Sequence, residues 1–420
     1  MWVIKKPMSR TLVLVLLLIA TRTEARNINW KEAIKLAAEN SLEYQAALAN
    51  YTSVQALEMG NLTGFLPKLT ATATGTHSGA PATDSTHSYT AQLTLSQNLF
   101  AGFSDYNLFY LKRTNTQSAL ATFLNVRSRL SQELKQAYAE LYYIQDYKKL
   151  VTDILRRRVE NNSNVKLQYN VGRENKGSLL LSQSYVDSAE FDLLTTMHSE
   201  EIFIGNLKRI LGGNSEETLF VTENISKEEL AIKNPDFNKI AEQHPDVRIA
   251  KFDEEQAFYN KRISFAQFLP SLDFSGSYSY SGAVFMPDQD RWSLGLTLSI
   301  PLFEGLKSVS AYKSAQAKLE GGRFTALNTL LKVTNTLKQT FYSYSEAIQK
   351  EKIDESFRQA AILRAEVARN KYKNGFISFE AWDTVEADLI TRQKEILFSE
   401  KNRIIKQSLW EQAQSIGVFQ

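Results

Sequence analysis

The chain has 420 residues, 49 Lys plus Arg against 46 Asp plus Glu, a formal net charge of +3 and no cysteine. Charges this nearly balanced give no electrostatic reason to bind nucleic acid, and a chain without cysteine has no disulfides, thiol catalysis or thiolate metal sites. The length is enough for two or three ordinary domains.

At the N-terminus Lys5, Lys6 and Arg10 precede the apolar run Leu12 to Ala20, and Thr23-Glu24-Ala25 follows as a small-x-small cleavage site. This predicts a secretory signal peptide over 1–25, with a mature chain beginning near Arg26. No Cys follows the cleavage site to carry a lipid. No other run reaches the 18 or so apolar residues of a spanning helix, so any spanning part must be β.

A helix is expected over about 30–60. A hairpin over 68–99 follows, in which Leu69, Ala71, Ala73 and Gly75 alternate with Thr70, Thr72, Thr74 and Thr76. Beyond a loop with Pro81, Tyr89, Ala91, Leu93 and Leu95 alternate with Thr90, Gln92, Thr94 and Ser96. Residues 103–171 hold neither Gly nor Pro, and Leu130, Leu134, Ala137, Leu141, Ile144, Val151 and Leu155 keep a four-three spacing broken at Lys148. That is a heptad-like seam on one long helix, 103–170. Gly172 ends it, and a helix over 178–211 runs to Gly212-Gly213. A polar connector, 214–235, follows.

The same order then recurs: a helix over about 236–265, a hairpin over 271–301, a long helix over 306–373 and a last helix over 378–415. The second hairpin is the clearer. Leu272, Phe274, Gly276, Tyr278 and Tyr280 oppose Asp273, Ser275, Ser277, Ser279 and Ser281, and after Pro287 to Asp290, Trp292, Leu294, Leu296, Leu298 and Ile300 oppose Ser293, Gly295, Thr297 and Ser299. The long helix carries its own seam, Leu330, Val333, Leu337, Phe341, Tyr344 and Ile348.

At a shift of 203, Phe65-Leu66-Pro67-Lys68-Leu69 falls on Phe268-Leu269-Pro270-Ser271-Leu272, Leu99-Phe100-Ala101-Gly102 on Leu302-Phe303-Glu304-Gly305, and Tyr169-Asn170-Val171-Gly172 on Tyr372-Lys373-Asn374-Gly375. Three ungapped matches at one shift indicate two internal repeats, 26–213 and 236–420.

Each strand of the second hairpin is about 10 residues, the length of a tilted strand across a bilayer, and Tyr278, Tyr280 and Trp292 flank the apolar face. A soluble antiparallel sheet has the same alternation, but a face of Ser and Thr suits a wetted lumen better than a packed core. Four strands cannot close a membrane barrel, so the chain must assemble. Two copies give eight strands around a side-chain-filled interior; three give twelve and begin to leave a channel, which the Ser and Thr face favours. The long helices, about 100 Å at 1.5 Å per residue, project from the barrel on the side opposite its short loops. The expected fold class is a mixed α and β membrane protein: a trimeric 12-stranded β-barrel, four strands per chain, continued by a long α-helical barrel.

The doubled Phe-Leu-Pro-x-Leu with its strand, the Leu-Phe-x-Gly at the strand-to-helix exit and the doubled Tyr-x-x-Gly resemble the outer membrane efflux proteins of Gram-negative bacteria, the TolC family, over the whole mature chain. The resemblance implies an outer-membrane homotrimer with its helical part in the periplasm. It would be the exit duct of a tripartite efflux or type I secretion system, joined by a periplasmic adaptor (membrane fusion) protein to an inner-membrane RND or ABC transporter. It implies no enzyme, no cofactor and no metal.

Carried over residue by residue, the turns Tyr169 to Leu181 and Tyr372 to Glu380 correspond to the tip that adaptors grip, with Tyr169, Gly172, Gly177, Tyr372 and Gly375 as contact residues. Where the family often places Asp after the second turn, this chain has Ala381; its acids are Glu380, Asp383 and Glu386. They are either a shifted acidic aperture ring or acids that suit the first turns of a helix.

His77 and His87 flank the first outer loop, where solvated histidines are the simpler reading than a metal pair. Arg156-Arg157-Arg158 reads as a solvated basic face near the tip. No Gly-x-Ser-x-Gly, Walker loop or zinc-helix signature occurs. The rival reading is a periplasmic coiled-coil adaptor protein, which shares the signal peptide and long helices but needs no two-faced hairpins. The transported substrate has no signature here.

Overall fold

The computed structural model describes residues 26–80, 83–213, 219–227, 229 and 235–419. The expected signal peptide, the loop position of Pro81 and much of the connector lie outside them.

Strand β1 (Arg26–Ile28) leads into α1 (Trp30–Asn40) and α2 (Leu42–Met59). One helix was expected here, and Ser41 divides it. Its ψ of 116° leaves the helical region, and its hydroxyl caps α2 by accepting from the Tyr44 N–H at 3.4 Å. The second copy breaks alike, into α5 (Phe237–Gln243) and α6 (Pro245–Ala266). Pro245 has no N–H to continue a helix and instead opens one at its first turn, with His244 as the cap.

The membrane-type hairpins are β2 (Lys68–Ala80) with β3 (Thr83–Ala101), and β5 (Ser271–Gly282) with β6 (Gln289–Ser299). They join into one antiparallel sheet ordered β2-β3-β5-β6, so the seam between the two halves of the chain is β3 against β5. Side chains keep their faces across every ladder: Ala71 faces Leu93, which faces Tyr278, which faces Trp292. The apolar face has no cover from the chain, with Leu294, Leu296 and Leu298 each more than 60% exposed. Both outer strands have an unpaired edge, so the sheet is open within one chain.

Two adjacent left-handed residues turn each hairpin into its long helix: Gly102 (φ 59°) with Phe103 (64°), and Gly305 (60°) with Leu306 (67°). At Gly102 a Cβ would stand 2.8 Å from the Ala266 carbonyl oxygen, so no side chain fits.

The long helices are α3 (Ser104–Asn170) and α7 (Lys307–Lys373), each of 67 residues and each about 100 Å long. They are followed by α4 (Lys176–Ile210) and α8 (Phe379–Ala413), each of 35 residues. Among the described residues no helix is long and apolar enough to cross a membrane.

The α3 seam is buried from Leu130 through Val151, then departs from expectation: Ile154, 5% exposed, takes the place assigned to Leu155. Two successive three-residue steps, 148 to 151 to 154, shift the phase as a stammer does, and the buried row continues through Arg158, Asn161 and Val165. On α7 Val333, Leu337, Phe341, Tyr344 and Ile348 are buried as the spacing predicts, and Leu330 is partly buried.

The largest core lies midway along the rods, where α1, α3 and α4 meet the connector around Leu134, Tyr138, Leu141 and Leu207. The connector is more than a polar link. Its β4 (Leu219–Val221) pairs in parallel with β1, and Lys227 reaches Glu351 at 2.6 Å and Glu400 at 2.9 Å.

Candidate functional site

The two helical turns lie at the end of the rods farthest from the sheet. Both long helices stop by the same backbone device: the Gly172 N–H donates to the Tyr169 carbonyl (3.0 Å) and the Arg173 N–H to Gln168 (2.9 Å), while Gly375 donates to Tyr372 and Phe376 to Lys371, both at 2.9 Å. These are Schellman closures, and they require the left-handed φ of Gly172 (72°) and Gly375 (74°). Asn175 and Ser378 then cap α4 and α8, accepting from the Ser178 and Ala381 N–H groups. Gly177 sits in the first turn of α4, where a Cβ would meet the Asn175 side-chain oxygen at 3.0 Å.

The aromatic residues of the second turn form the local core. Tyr372, 8% exposed, stacks on Trp382 with centroids 5.2 Å apart, and Phe379 and Val165 close the cluster. Burial pushes the Tyr372 hydroxyl up to about 12. Tyr169 of the first turn is 38% exposed, so the two turns present different surfaces. The Trp382 indole N–H has no acceptor among the described residues.

The candidate acids separate into two kinds. Glu380 is exposed and has no ion-pair partner among the described residues. Asp383 and Glu386 are 7% and 3% exposed and belong to a network of arginines. Arg158 reaches Asp383 at 2.7 Å and lies 4.3 Å over the Tyr185 ring, tying α3, α4 and α8 together. Glu386 accepts from Arg157 of α3 and, at 3.2 Å, from Arg369 of α7. The expectation of a solvated Arg156-Arg157-Arg158 face is therefore corrected: only the Arg156 side chain is solvated, at 63%, against 14% and 8% for Arg157 and Arg158. The phase shift at Ile154 turns these two toward α8.

Beside the network, Arg156, Arg157, Arg369, Tyr372, Trp382 and Glu386 line part of a cleft of about 660 Å³. The charge pairs cross from α3 to α8 and from α7 to α8, so separating the helix pairs at this end must break buried ionic contacts. Among the described residues no group of three or more potential metal ligands occurs. At the opposite end, His77 and His87 face each other across the first hairpin with ring centroids 4.3 Å apart.

The outer membrane efflux protein family model matches residues 33–213 and 237–408, and the chain belongs to that family. AprF of Pseudomonas aeruginosa, an alkaline protease secretion protein, is 24% identical over 366 residues, covering 79% of this chain and 72% of its own. The solved fold of the outer membrane protein VceC of Vibrio cholerae superposes with a TM-score of 0.79 at 18% identity, covering 92% of this chain and 96% of that one. The open state of the MtrE outer membrane channel of Neisseria gonorrhoeae superposes with a TM-score of 0.81 at 17% identity, covering 92% and 89%. Family membership places the chain in the outer membrane and makes it a transport protein.

Proposed function

We propose that three copies of the chain close a 12-stranded barrel in the outer membrane and continue it as a helical tunnel through the periplasm. The tunnel passively conducts substrates delivered by an inner-membrane RND or ABC transporter. The observation that carries this reading is the open four-stranded sheet with an uncovered Leu and Trp face, standing on two 67-residue helices. A sheet with unpaired edges in lipid is not viable until it closes, and three sheets of four strands make twelve. The matching ladders and equal helix lengths of the two halves support a duplicated unit.

The turns at Gly172 and Gly375 are the tip that a periplasmic adaptor grips, with Tyr169 and Gly177 on one turn and Tyr372 on the other. Glu380 is the carboxylate left free to line the aperture, while Asp383 and Glu386 hold the helix pairs together. The tunnel opens when those pairs part. The secretion role in the name of AprF supports a type I secretion or efflux duct. The adaptor reading is disfavoured, because a soluble coiled-coil protein has no use for the uncovered sheet face.

The test is the native mass of the mature protein extracted from membranes. An assembly of three chains that survives only in detergent is expected, and a monomer soluble without detergent would overturn the proposal.

A further inference from the structure

The end of the sheet away from the helices carries an apolar loop. Between β5 and β6 the chain reads Ala283-Val284-Phe285-Met286-Pro287, without a charge or a hydroxyl. Phe285 and Met286 are 79% and 80% exposed, and among the described large apolar side chains only Leu302 and Phe303, at the helix end of the sheet, are more so. The internal repeat does not account for the loop, since the shift of 203 sets Ala82 and Thr83 against Phe285 and Met286.

The backbone decides where these side chains go. Gly282 falls on the outward row of β5, in line with Gly276, Tyr278 and Tyr280, and a Cβ on it would stand 3.2 Å from both Cα and Cβ of Pro287. Pro287 therefore lies against the outward side of the sheet, over a spot that only glycine leaves empty. Met286 turns the chain to reach it, at a left-handed φ of 73° that a residue with a side chain keeps only where its surroundings hold it. Phe285 closes edge-on against Tyr89, with ring centroids 5.8 Å apart, and Tyr89 is itself an outward residue, facing Gly75 on one side and Gly282 on the other. Both contacts bend the loop away from the Ser and Thr row.

We propose that residues 283–287 form an apolar hook seated in the outer leaflet of the outer membrane, where acyl chains meet headgroups, and that this anchorage holds the second loop beside the channel mouth instead of across it. This rests on the barrel proposed above, in which the Leu and Trp face is the lipid face.

Lipid is the occupant that the surroundings select. The hook prolongs the outward face: Leu296 and Leu294 lead to Trp292 and Tyr278, then to Tyr280, and finally to Tyr89 and Phe285. The Tyr278 hydroxyl lies 3.1 Å from that of Tyr280 and 3.4 Å from an Asp290 carboxylate oxygen, so polar tips gather at the level where aromatic rings meet headgroups. One cross-strand row further out, about 7 Å along the strand, stand Tyr89, Gly282 and the hook. In water, Val284, Phe285 and Met286 side by side are an aggregation hazard, whereas against lipid the same side chains are solvated. Asp288 and Gln289 follow at once, returning the chain to polar residues where the hook ends.

The chain contains no cysteine, so single cysteines carry a nitrobenzoxadiazole fluorophore to chosen sites. Phe285→Cys and Val284→Cys report the hook, the second with Phe285 and Met286 both in place. Leu294→Cys on the lipid face and Thr297→Cys on the lumen face are the references. The labelled proteins are reconstituted into vesicles of phosphatidylethanolamine and phosphatidylglycerol. Each is quenched in turn by a phospholipid with a nitroxide on its acyl chain near the glycerol and by iodide present on both sides of the membrane.

The expected result at 284 and 285 is lipid quenching at least about half that at Leu294, with iodide quenching at most about half that at Thr297. Iodide quenching at 284 and 285 equal to that at Thr297, with Leu294 still quenched by the lipid, overturns the hook and leaves the barrel standing. Loss of lipid quenching at Leu294 itself overturns the lipid face of the barrel and the hook with it.

Discussion

At the scale of single residues, the space around a glycine separates two that share a backbone conformation. Gly375 has φ 74° and nothing within 4 Å of where a Cβ would be, whereas Gly212 has φ 70° and the Asn40 carbonyl oxygen 1.9 Å away. Gly375→Ala should cost only the left-handed penalty, about 1 kcal/mol, and leave the assembly intact. Gly212→Ala must displace backbone and should abolish the folded protein, which yield and thermal melts in detergent would register. If both variants behaved alike, the close approach at Asn40 would be wrong.

His244 offers a second test at this scale. Its Nδ1 accepts from the Asp246 N–H at 3.2 Å, a bond only the neutral ring can make. Burial pushes the imidazole below its ordinary 6.5, and the Asp246 carboxylate opposes this only in part. Below pH 6.5 the unfolded chain takes up a proton that the folded one refuses, so stability falls as pH falls toward the folded value. His244→Asn keeps a cap that does not titrate. The wild type should lose more apparent melting temperature between pH 7.5 and 5 than the variant does. Equal losses would remove His244 from the acid response.

Between elements, the decisive contacts are those joining α3 and α7 to α8 near the tip. Glu386 is 3% exposed and serves both Arg157 and Arg369. Glu386→Gln leaves Arg369 without its carboxylate and Arg157 with only Asp153 of its own helix, at 3.2 Å. The cost should be about 2 to 3 kcal/mol, at the low end for a buried pair because Arg369, 41% exposed, can turn to water. Glu380→Ala removes an exposed charge and should stay within about 0.5 kcal/mol. Thermal melts of the two variants side by side decide whether these acids differ as their burial says.

For the whole molecule, the same network bears on conduction. Since the arginine-carboxylate pairs bind the helix pairs to each other, Glu386→Gln should also raise single-channel conductance in planar bilayers, while Glu380→Ala should change ion selectivity more than conductance. Unchanged conductance in Glu386→Gln would uncouple the network from opening. The sheet stands at the opposite end: its uncovered apolar face and two open edges leave a single chain incomplete, and the proposed closure through other copies would satisfy both lipid and backbone.

Much of this was present in the amino-acid sequence alone, because helix and strand periods are local. The two-faced strands, the long uninterrupted helices, the Tyr-x-x-Gly turns and the internal repeat needed no tertiary information. The family resemblance singles out Glu380, Asp383 and Glu386 together, yet only folding decides that two are buried by arginines and one is free. Those partners lie 225 and 229 residues away along the chain for Arg158 and Arg157, and which face of α3 meets α8 depends on the phase shift at Ile154. Likewise the junction of β3 with β5 joins halves of the chain that no local pattern links. Periodicity determines which face of an element is apolar; the superhelical phase and the order of strands, set by all the packed elements at once, decide what that face meets.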